Sequence, residues 1–457
     1  MAQSPTMLTF YGATGTVTGS KYLLERGDTQ VMIDCGLFQG YKQLRLRNWA
    51  PPPLPPARLD AIVLTHAHID HSGYAPILVR DGYDGPIYCT PGTAELCAIL
   101  LPDSGRLHEL DAEYANRKGF SKHHPALPLY TEADALAAVK RLRPVPFGKE
   151  VGLARGFTLN FARAGHILGA ATALITHPGG TLLASGDLGR PEDPLMLAPE
   201  PRHPSDHLII EATYGDRQHD RTPPEAALAE IINRTAARDG VLLIPAFAVG
   251  RTQLLLLIID RLKASGAIPE MPVFLDSPMA IAATHAYRNN RATHRLDDDE
   301  CARMCEAARF VRDVEESTAL AERGGPMILI SASGMATGGR VVHHLKAMGP
   351  DPRNTILLVG FQAGGTRGAA LHGGARQLKI HGVYVAVNAE VAELDMLSAH
   401  ADADEILAWL RTCPVAPRRT FITHGEPPAA DALRHRIEEE LGWPCAVPDY
   451  REAFALE

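Results

Sequence analysis

Apolar runs of four to six residues recur along this chain, and run after run is closed by a histidine or a carboxylate. Runs of this length, rich in Val, Ile, Leu and Phe and bounded by Gly, Pro or polar residues, predict buried β-strands. In the first half they predict strands over 7–11, 21–25, 30–34, 59–64, 86–90, 157–161, 181–185 and 207–210. The pair 21–25 and 30–34 reads as a hairpin closed through 26–28, with Asp34 at its end. A short helix is expected over 72–80, and a long loop or a helical excursion over 102–128.

The pattern changes near residue 215. Thr222-Pro223-Pro224-Glu225 has the spacing of a capping box with proline in the first turn, so a helix should start there and stop at Gly240. Strands over 241–244, 272–275, 326–331 and 355–359 then alternate with helical stretches, the first over 250–263. Such alternation implies a parallel sheet wrapped by helices, with loops gathered at the carboxyl ends of the strands. The tail returns to strands at 377–380, 383–387 and 419–423, with helices from about 396 to 411 and from 427 to 441.

The stretch Thr65-His66-Ala67-His68-Ile69-Asp70-His71 places four metal-binding groups within six residues, directly after a strand. Imidazole and carboxylate donors without nearby cysteine suit zinc or a similar first-row ion in an open site rather than a closed structural finger. Candidates of the same type recur at later strand ends: His166 between glycines, Asp187, Glu211 and His424. Asp34, His66, His68, Asp70, His71, His166, Asp187 and His424 together could supply a two-metal site with a shared carboxylate. Two cations about 3.5–4 Å apart can hold a bridging hydroxide and clamp the oxygens of an in-line phosphoryl displacement. The leaving oxygen needs a proton; His400 is the candidate donor, with Glu211 to orient it and raise its pKa. Two loops of the alternating region, one with Ser333, Gly334, Gly338, Gly339 and Arg340, the other with Gly365, Thr366 and Arg367, combine small residues with a guanidinium and could grip phosphates.

A chain of 457 residues with 46% hydrophobic and 21% charged residues is an ordinary globular composition, and its length calls for two domains. The net charge of −8 gives no general attraction to nucleic acid, so a phosphate polymer would have to be drawn in locally. The seven cysteines are scattered without a C-x-x-C pair, which fits a reducing compartment. No stretch reads as a membrane span and the first residues carry no signal-like core, so the expected location is cytoplasmic.

The ordered set Asp34, His66-x-His68-x-Asp70-His71, His166, Asp187, Glu211, Ser398-Ala399-His400 and His424-Gly425-Glu426 resembles the motifs of metallo-β-lactamase-fold hydrolases of the β-CASP group. That group includes the nuclease subunit of the cleavage and polyadenylation specificity factor and its bacterial relatives. The signatures around Pro245–Arg251 and Ser333–Arg340 match as well. The resemblance implies an αββα four-layer sandwich with an inserted parallel α/β domain: 1–214 and 393–457 the metallo-β-lactamase domain, 215–392 the insertion. It implies two zinc ions, with manganese the alternative. One would be held by His66, His68, His166 and Asp187, the other by Asp70, His71, Asp187 and His424. Asp34 would stand behind the ligands, and Glu211 with His400 would assist proton transfer. The implied activity is hydrolysis of single-stranded RNA lying in the interdomain cleft, with His424 favouring RNA over DNA and a homodimer the oligomer considered. The competing reading is a hydrolase of another phosphodiester or of a small ester or thioester. Relatives often carry arginine after the glycine matching Gly368, where this chain has Ala369 and Ala370; either Arg367 replaces it or the grip there is weaker.

Overall fold

The computed structural model describes residues 5–119 and 121–456. The chain divides into two compact units. The first comprises Met1–Gln39, Gln43–Gln218 and His400–Glu457, and the second Gly40–Lys42 and His219–Ala399.

Among the described residues the first unit is built on two seven-stranded sheets. One runs in the order Ala453–Leu456, Thr6–Phe10, Tyr22–Arg26, Thr29–Ile33, Ala61–Val63, Ile87–Cys89, Leu142–Pro144. The other runs Cys445–Ala446, Arg419–Thr423, His207–Glu211, Gly180–Ala184, Ala171–His177, Phe157–Arg163, Val151–Ala154. Their facing side chains form one core in which Leu8, Phe10, Leu24 and Val63 meet Leu159, Phe161, Ile175, Ile209 and Phe421. Phe10 packs against Phe421 with ring centroids 5.3 Å apart, the strand-to-strand contact of two stacked sheets. Over residues 157–161 the strand Phe157–Arg163 alternates buried and half-buried positions, as a strand with one face on the core should. Helices cover the outer faces, Pro91–Lys118 beside the strand Leu142–Pro144 and Pro427–Leu441 against Arg419–Thr423. This is the expected αββα sandwich.

The second unit has a six-stranded sheet in the order Arg309–Phe310, Val273–Asp276, Met327–Ser331, Val241–Pro245, Thr355–Val359, Glu390–Leu394. Every pairing in it is parallel. Four of these strands are buried at every residue, which is why their sequences read as continuous apolar runs without alternation.

Several local expectations need correction. The helix Pro91–Lys118 runs through Pro102, so most of the stretch expected as loop or helix is helix. Burial of Leu96, Cys97, Leu100 and Leu101, and close packing of Gly105 on the backbone of Thr131, offset the hydrogen bond that proline removes. The helix Pro224–Ala236 has no side-chain cap. Thr222 instead closes a turn on Asp220, its amide and hydroxyl donating to Oδ1 at 2.8 and 2.7 Å. The helix expected over 72–80 is two pieces, Ile69–Ser72 and Ala75–Arg80, broken where the Tyr74 amide turns to the Cys35 carbonyl at 2.7 Å. The helix after Ser398 begins only at Ala403, capped by Asp402 and Glu405 in a reciprocal box.

Candidate metal centre

Most of the histidines and carboxylates of the expected centre lie at or just beyond the end of a strand of the first unit, while Asp70 and His71 sit on the short helix Ile69–Ser72 that follows Ala61–Val63. Asp34 follows Thr29–Ile33 with φ of +55°, and its oxygens accept from the Thr65 amide at 2.8 Å, the Thr65 hydroxyl at 2.9 and 3.0 Å, and His71 Nδ1 at 2.8 Å. That carboxylate therefore fixes the His71 ring and turns its Nε2 inward, the arrangement by which a carboxylate orients a metal-binding imidazole. Two glycines let the loops close: a Cβ on Gly36 would stand 1.5 Å from the Asp70 carbonyl oxygen, and one on Gly189 2.0 Å from that of Gly165.

The side chains converge in two groups about Asp187. In the first, His68 Nδ1 lies 3.2 Å from both His66 Nε2 and His166 Nε2. Those two nitrogens are 3.4 and 3.6 Å from Asp187 Oδ2. In the second, His71 Nε2 is 3.2 Å from His424 Nε2 and 3.2 Å from Asp187 Oδ1, and His424 Nε2 is 3.6 Å from Asp70 Oδ2. Asp187 thus turns one oxygen to each group. Its buried Oδ1 accepts no hydrogen bond, although His71 Nε2 stands so near. Buried nitrogens and oxygens gathered face to face, with an acceptor left unfilled, fit cations rather than protons. The donor set of His66, His68, His166 and Asp187, and that of Asp70, His71 and His424, could each hold a metal ion.

Protonation divides the cluster. Burial drives His68 down to about 3, and burial with a neighbouring imidazole lowers His66 and His166, so these three rings are neutral at pH 7, the form that can bind a metal. Burial also acts to lower His71, but Asp187 and Asp34 together outweigh it and hold this ring well above its usual value. Burial would raise Asp187, yet His424, His71 and His66 hold it well below the carboxylate range.

Beside this group, His400 Nδ1 lies 3.0 Å from Glu211 Oε2. Its other face approaches Asp187, with Nε2 3.9 Å from Oδ2. Burial acts to lower His400, but Glu211 and Asp187 win and raise it. Glu211 is itself fixed, accepting from the Leu188 amide at 2.6 Å and the Thr213 hydroxyl at 2.6 Å. The chain around His400 is extended and tied down, the Ala401 amide donating to the Leu188 carbonyl at 2.8 Å.

Sequence reasoning gave no role to Thr65, Thr213 or Lys21. Thr65 braces Asp34, and Thr213 sits between Glu211 and His424, 3.1 Å from His424 Nδ1. The buried Lys21 ammonium donates to the Gly36 and Gly19 carbonyls and lies 4.5 and 4.7 Å from the Phe38 and Tyr74 ring centres. Burial pulls it down to about 8. A threonine near an acidic motif residue, and a lysine in an apolar strand, were the available signals.

The loops expected at phosphates belong to the second unit. The Ser333 hydroxyl accepts from the Thr337 amide at 3.0 Å, Thr366 caps the helix Arg367–His372, and a Cβ on Gly334 would meet the Phe247 amide nitrogen at 2.8 Å. Gly339 and Gly365 take positive φ, and Gly338 has open space where a Cβ would stand. The two arginines, expected to face phosphates, face protein acceptors: Arg340 reaches Asp276 Oδ1 at 2.5 Å and the Arg312 carbonyl at 2.8 Å. Arg367 donates to the Lys379, Ala336 and Thr337 carbonyls. Backbone carbonyls at the loop edges compete for guanidinium groups, and residue type alone does not reveal that competition.

Comparison with known proteins gives this geometry a family. Residues 14–216 match the metallo-beta-lactamase superfamily, 252–371 the Beta-Casp domain, and 384–448 the Zn-dependent metallo-hydrolase RNA specificity domain. A ribonuclease of Thermus thermophilus is 36% identical over 428 residues, covering 91% of this chain and 92% of that protein. The chain belongs to the β-CASP group of metallo-β-lactamase-fold, zinc-dependent hydrolases. The transcription termination factor FttA of Methanosarcina mazei is 30% identical over 453 residues, 95% of this chain and 69% of that protein. A crystal structure of a protein of unknown function from Enterococcus faecalis shares the fold with a TM-score of 0.55 at 13% identity, covering 99% of this chain and all of that one. In this β-CASP chain the second unit interrupts the metallo-β-lactamase domain, and none of the described helices is long and apolar enough to cross a membrane.

Proposed function

We propose that this protein is a ribonuclease that binds two zinc ions and hydrolyses phosphodiester bonds of single-stranded RNA. The observation that carries the reading is Asp187, whose two oxygens serve two separate imidazole groups while a carboxylate-backed histidine stands at the edge. Its relatives include a protein named as a ribonuclease and one named as a transcription termination factor, and both names concern RNA or its synthesis.

Bound there, two divalent cations would supply Lewis acidity and an activated water for in-line attack at phosphorus. His66, His68, His166 and Asp187 would hold one, and Asp70, His71, Asp187 and His424 the other. Asp34 keeps His71 in the orientation that presents Nε2. Glu211, anchored from two sides, holds the proton of His400 on Nδ1 and leaves Nε2 facing the reacting groups. Glu211 and Asp187 outweigh burial and raise the pKa of His400, favouring the protonated form that can donate to the departing ribose oxygen.

End-labelled RNA, matched DNA and a generic diester are assayed with zinc-replete protein. Cleavage of RNA supports the proposal, and turnover of the small diester with RNA left intact sinks it in favour of another phosphodiesterase. His400→Ala should keep its metal, measured by elemental analysis, and lose about a hundred- to ten-thousandfold in kcat. Loss of metal in that variant would make His400 a ligand instead of a donor.

A further inference from the structure

The stretch that links the hairpin to the histidine cluster has no part in the chemistry above. Residues 35–59 carry four cations, Lys42, Arg45, Arg47 and Arg58, and no carboxylate, within a chain of net charge −8. The helix Lys42–Arg47 buries none of its side chains. Leu46 and Trp49 are each 56% exposed, whereas the other two tryptophans, Trp409 and Trp443, are buried. Among the described residues Lys42 and Arg45 enter no ion pair.

A six-residue helix has too few hydrogen bonds to persist alone. This one is held from outside. The Asn48 side chain accepts from the Phe38 amide at 2.9 Å and donates to its carbonyl at 2.8 Å. The Arg47 guanidinium lies 4.0 Å from the Tyr450 ring centre. At its root the Leu37 amide donates to the Ile69 carbonyl at 2.9 Å, beside Asp70 of the second metal group. Three anchors thus fix an element that adds almost nothing to the core, keeps its large apolar side chains in water, and starts from a segment bonded to the stretch that carries Asp70.

We infer that Lys42, Arg45, Leu46 and Trp49 form a platform for single-stranded RNA, on which a base stacks against Trp49 and Leu46 while Lys42 and Arg45 take the adjoining phosphates. Exposed aromatic and cationic side chains interleaved on one element are the composition that binds single strands without sequence preference. A second copy of the chain is a poorer occupant, because two such surfaces brought together would oppose cations to cations. The inference rests on the ribonuclease reading and names where its substrate lies.

The test uses zinc-loaded full-length protein and a non-cleavable 2′-O-methyl RNA of about twenty nucleotides, longer than the site of a single-strand-binding module. Because Trp49 is the exposed tryptophan, stacking on it should quench intrinsic fluorescence, and Trp49→Phe should abolish that quench while keeping affinity within about threefold. Trp49→Ala should weaken binding about tenfold, the loss expected from one stacked base. Lys42→Glu with Arg45→Glu should flatten the dependence of log K on log salt by about 1 to 1.5. Unchanged affinity and salt slope in these variants, in protein that does cut RNA, would overturn the platform alone. Wild-type protein that neither binds nor cuts RNA would overturn the ribonuclease reading beneath it. Sedimentation showing that Leu46→Glu turns a dimer into monomers, with RNA affinity intact, would assign the surface to a second copy.

Discussion

Two buried clusters in this chain use the same residue types and end in opposite states. In the inserted unit, Asp276 is fully buried and both its oxygens are filled: Ser317 Oγ donates at 2.5 Å, His344 Nε2 at 2.6 Å and Arg340 Nη1 at 2.5 Å. Around Asp187, by contrast, imidazole nitrogens face one another and the carboxylate across 3.2–3.6 Å, and one oxygen accepts nothing. In the first arrangement protons alone fill both carboxylate oxygens, and among the described residues His344 Nδ1 is the one atom of the cluster left without a hydrogen-bond partner. The second leaves nitrogen and oxygen atoms facing one another around an unfilled acceptor, an arrangement that a cation would complete. Residue identity does not separate a structural acid–histidine cluster from a metal site; the account of donors and acceptors does.

Asp187→Asn puts this contrast under the greatest strain. Removing the one carboxylate that faces both groups should cut metal content from about two ions to less than one and lower turnover about a thousandfold or more, an effect worth several kcal/mol of transition-state stabilisation. Some stability should be lost as well, since His71 and His400 lose the carboxylate that favours their charged forms. An Asp187→Asn protein that retains both metals would show that the two groups do not share this ligand, and the reading of the centre as dinuclear would fail.

The complementary substitution is Asp276→Asn. Here the expected loss is stability, about 3 kcal/mol in denaturant unfolding, because Arg340 is left partly buried without its counter-charge. Metal content should stay at the wild-type value. Metal loss without destabilisation would break the distinction from the other side, by making the filled cluster part of the site.

The histidine–carboxylate cluster that the structure brings together was legible because its members follow apolar runs, and strand ends can be read from periodicity. The parallel insertion followed from the alternation of such runs with helices, whereas the αββα sandwich came only from the resemblance to the β-CASP group. What stayed hidden depends on direction rather than type. Arg340 and Arg367 look like phosphate grips in sequence, yet their guanidinium groups turn to Asp276 and to backbone carbonyls. Thr222 stands at capping spacing, yet Asp220 takes its hydroxyl first. Pro102 signals a break, but the buried face of Leu96, Cys97, Leu100 and Leu101 before it and the close packing of Gly105 after it carry the helix through. Asp276, at the end of an apolar strand, has the same sequence signature as Asp34 and Asp187. Only the donors brought to it by distant segments tell it apart.

Acidity provides the finest separation of the two clusters. In chelator-treated protein, burial holds His68 at about 3, far below its ordinary 6.5. The unfolded chain takes up that proton near pH 6.5 and the folded one does not. The contribution of His68 to stability is therefore complete above pH 6.5 and declines as pH falls toward 3. His66 and His166 are lowered likewise and act in the same direction. His71 and His400 are raised, so theirs runs the other way: present below pH 6.5 and lost as pH climbs through their folded values. Burial acts to raise Asp276, but the donors of His344, Ser317 and Arg340 outweigh it and hold the carboxyl below its ordinary 3.8. Its contribution is therefore constant near neutral pH and falls only in stronger acid. Between about pH 7 and pH 5, then, the destabilisation caused by Asp276→Asn should not change, whereas His68→Gln should reduce the acid sensitivity of the metal-free protein. Denaturation midpoints of both variants at the two pH values decide the matter. A His68→Gln protein as acid-sensitive as wild type would mean that this imidazole is not held neutral by its surroundings, and the contrast between an open cluster and a filled one would lose its electrostatic half.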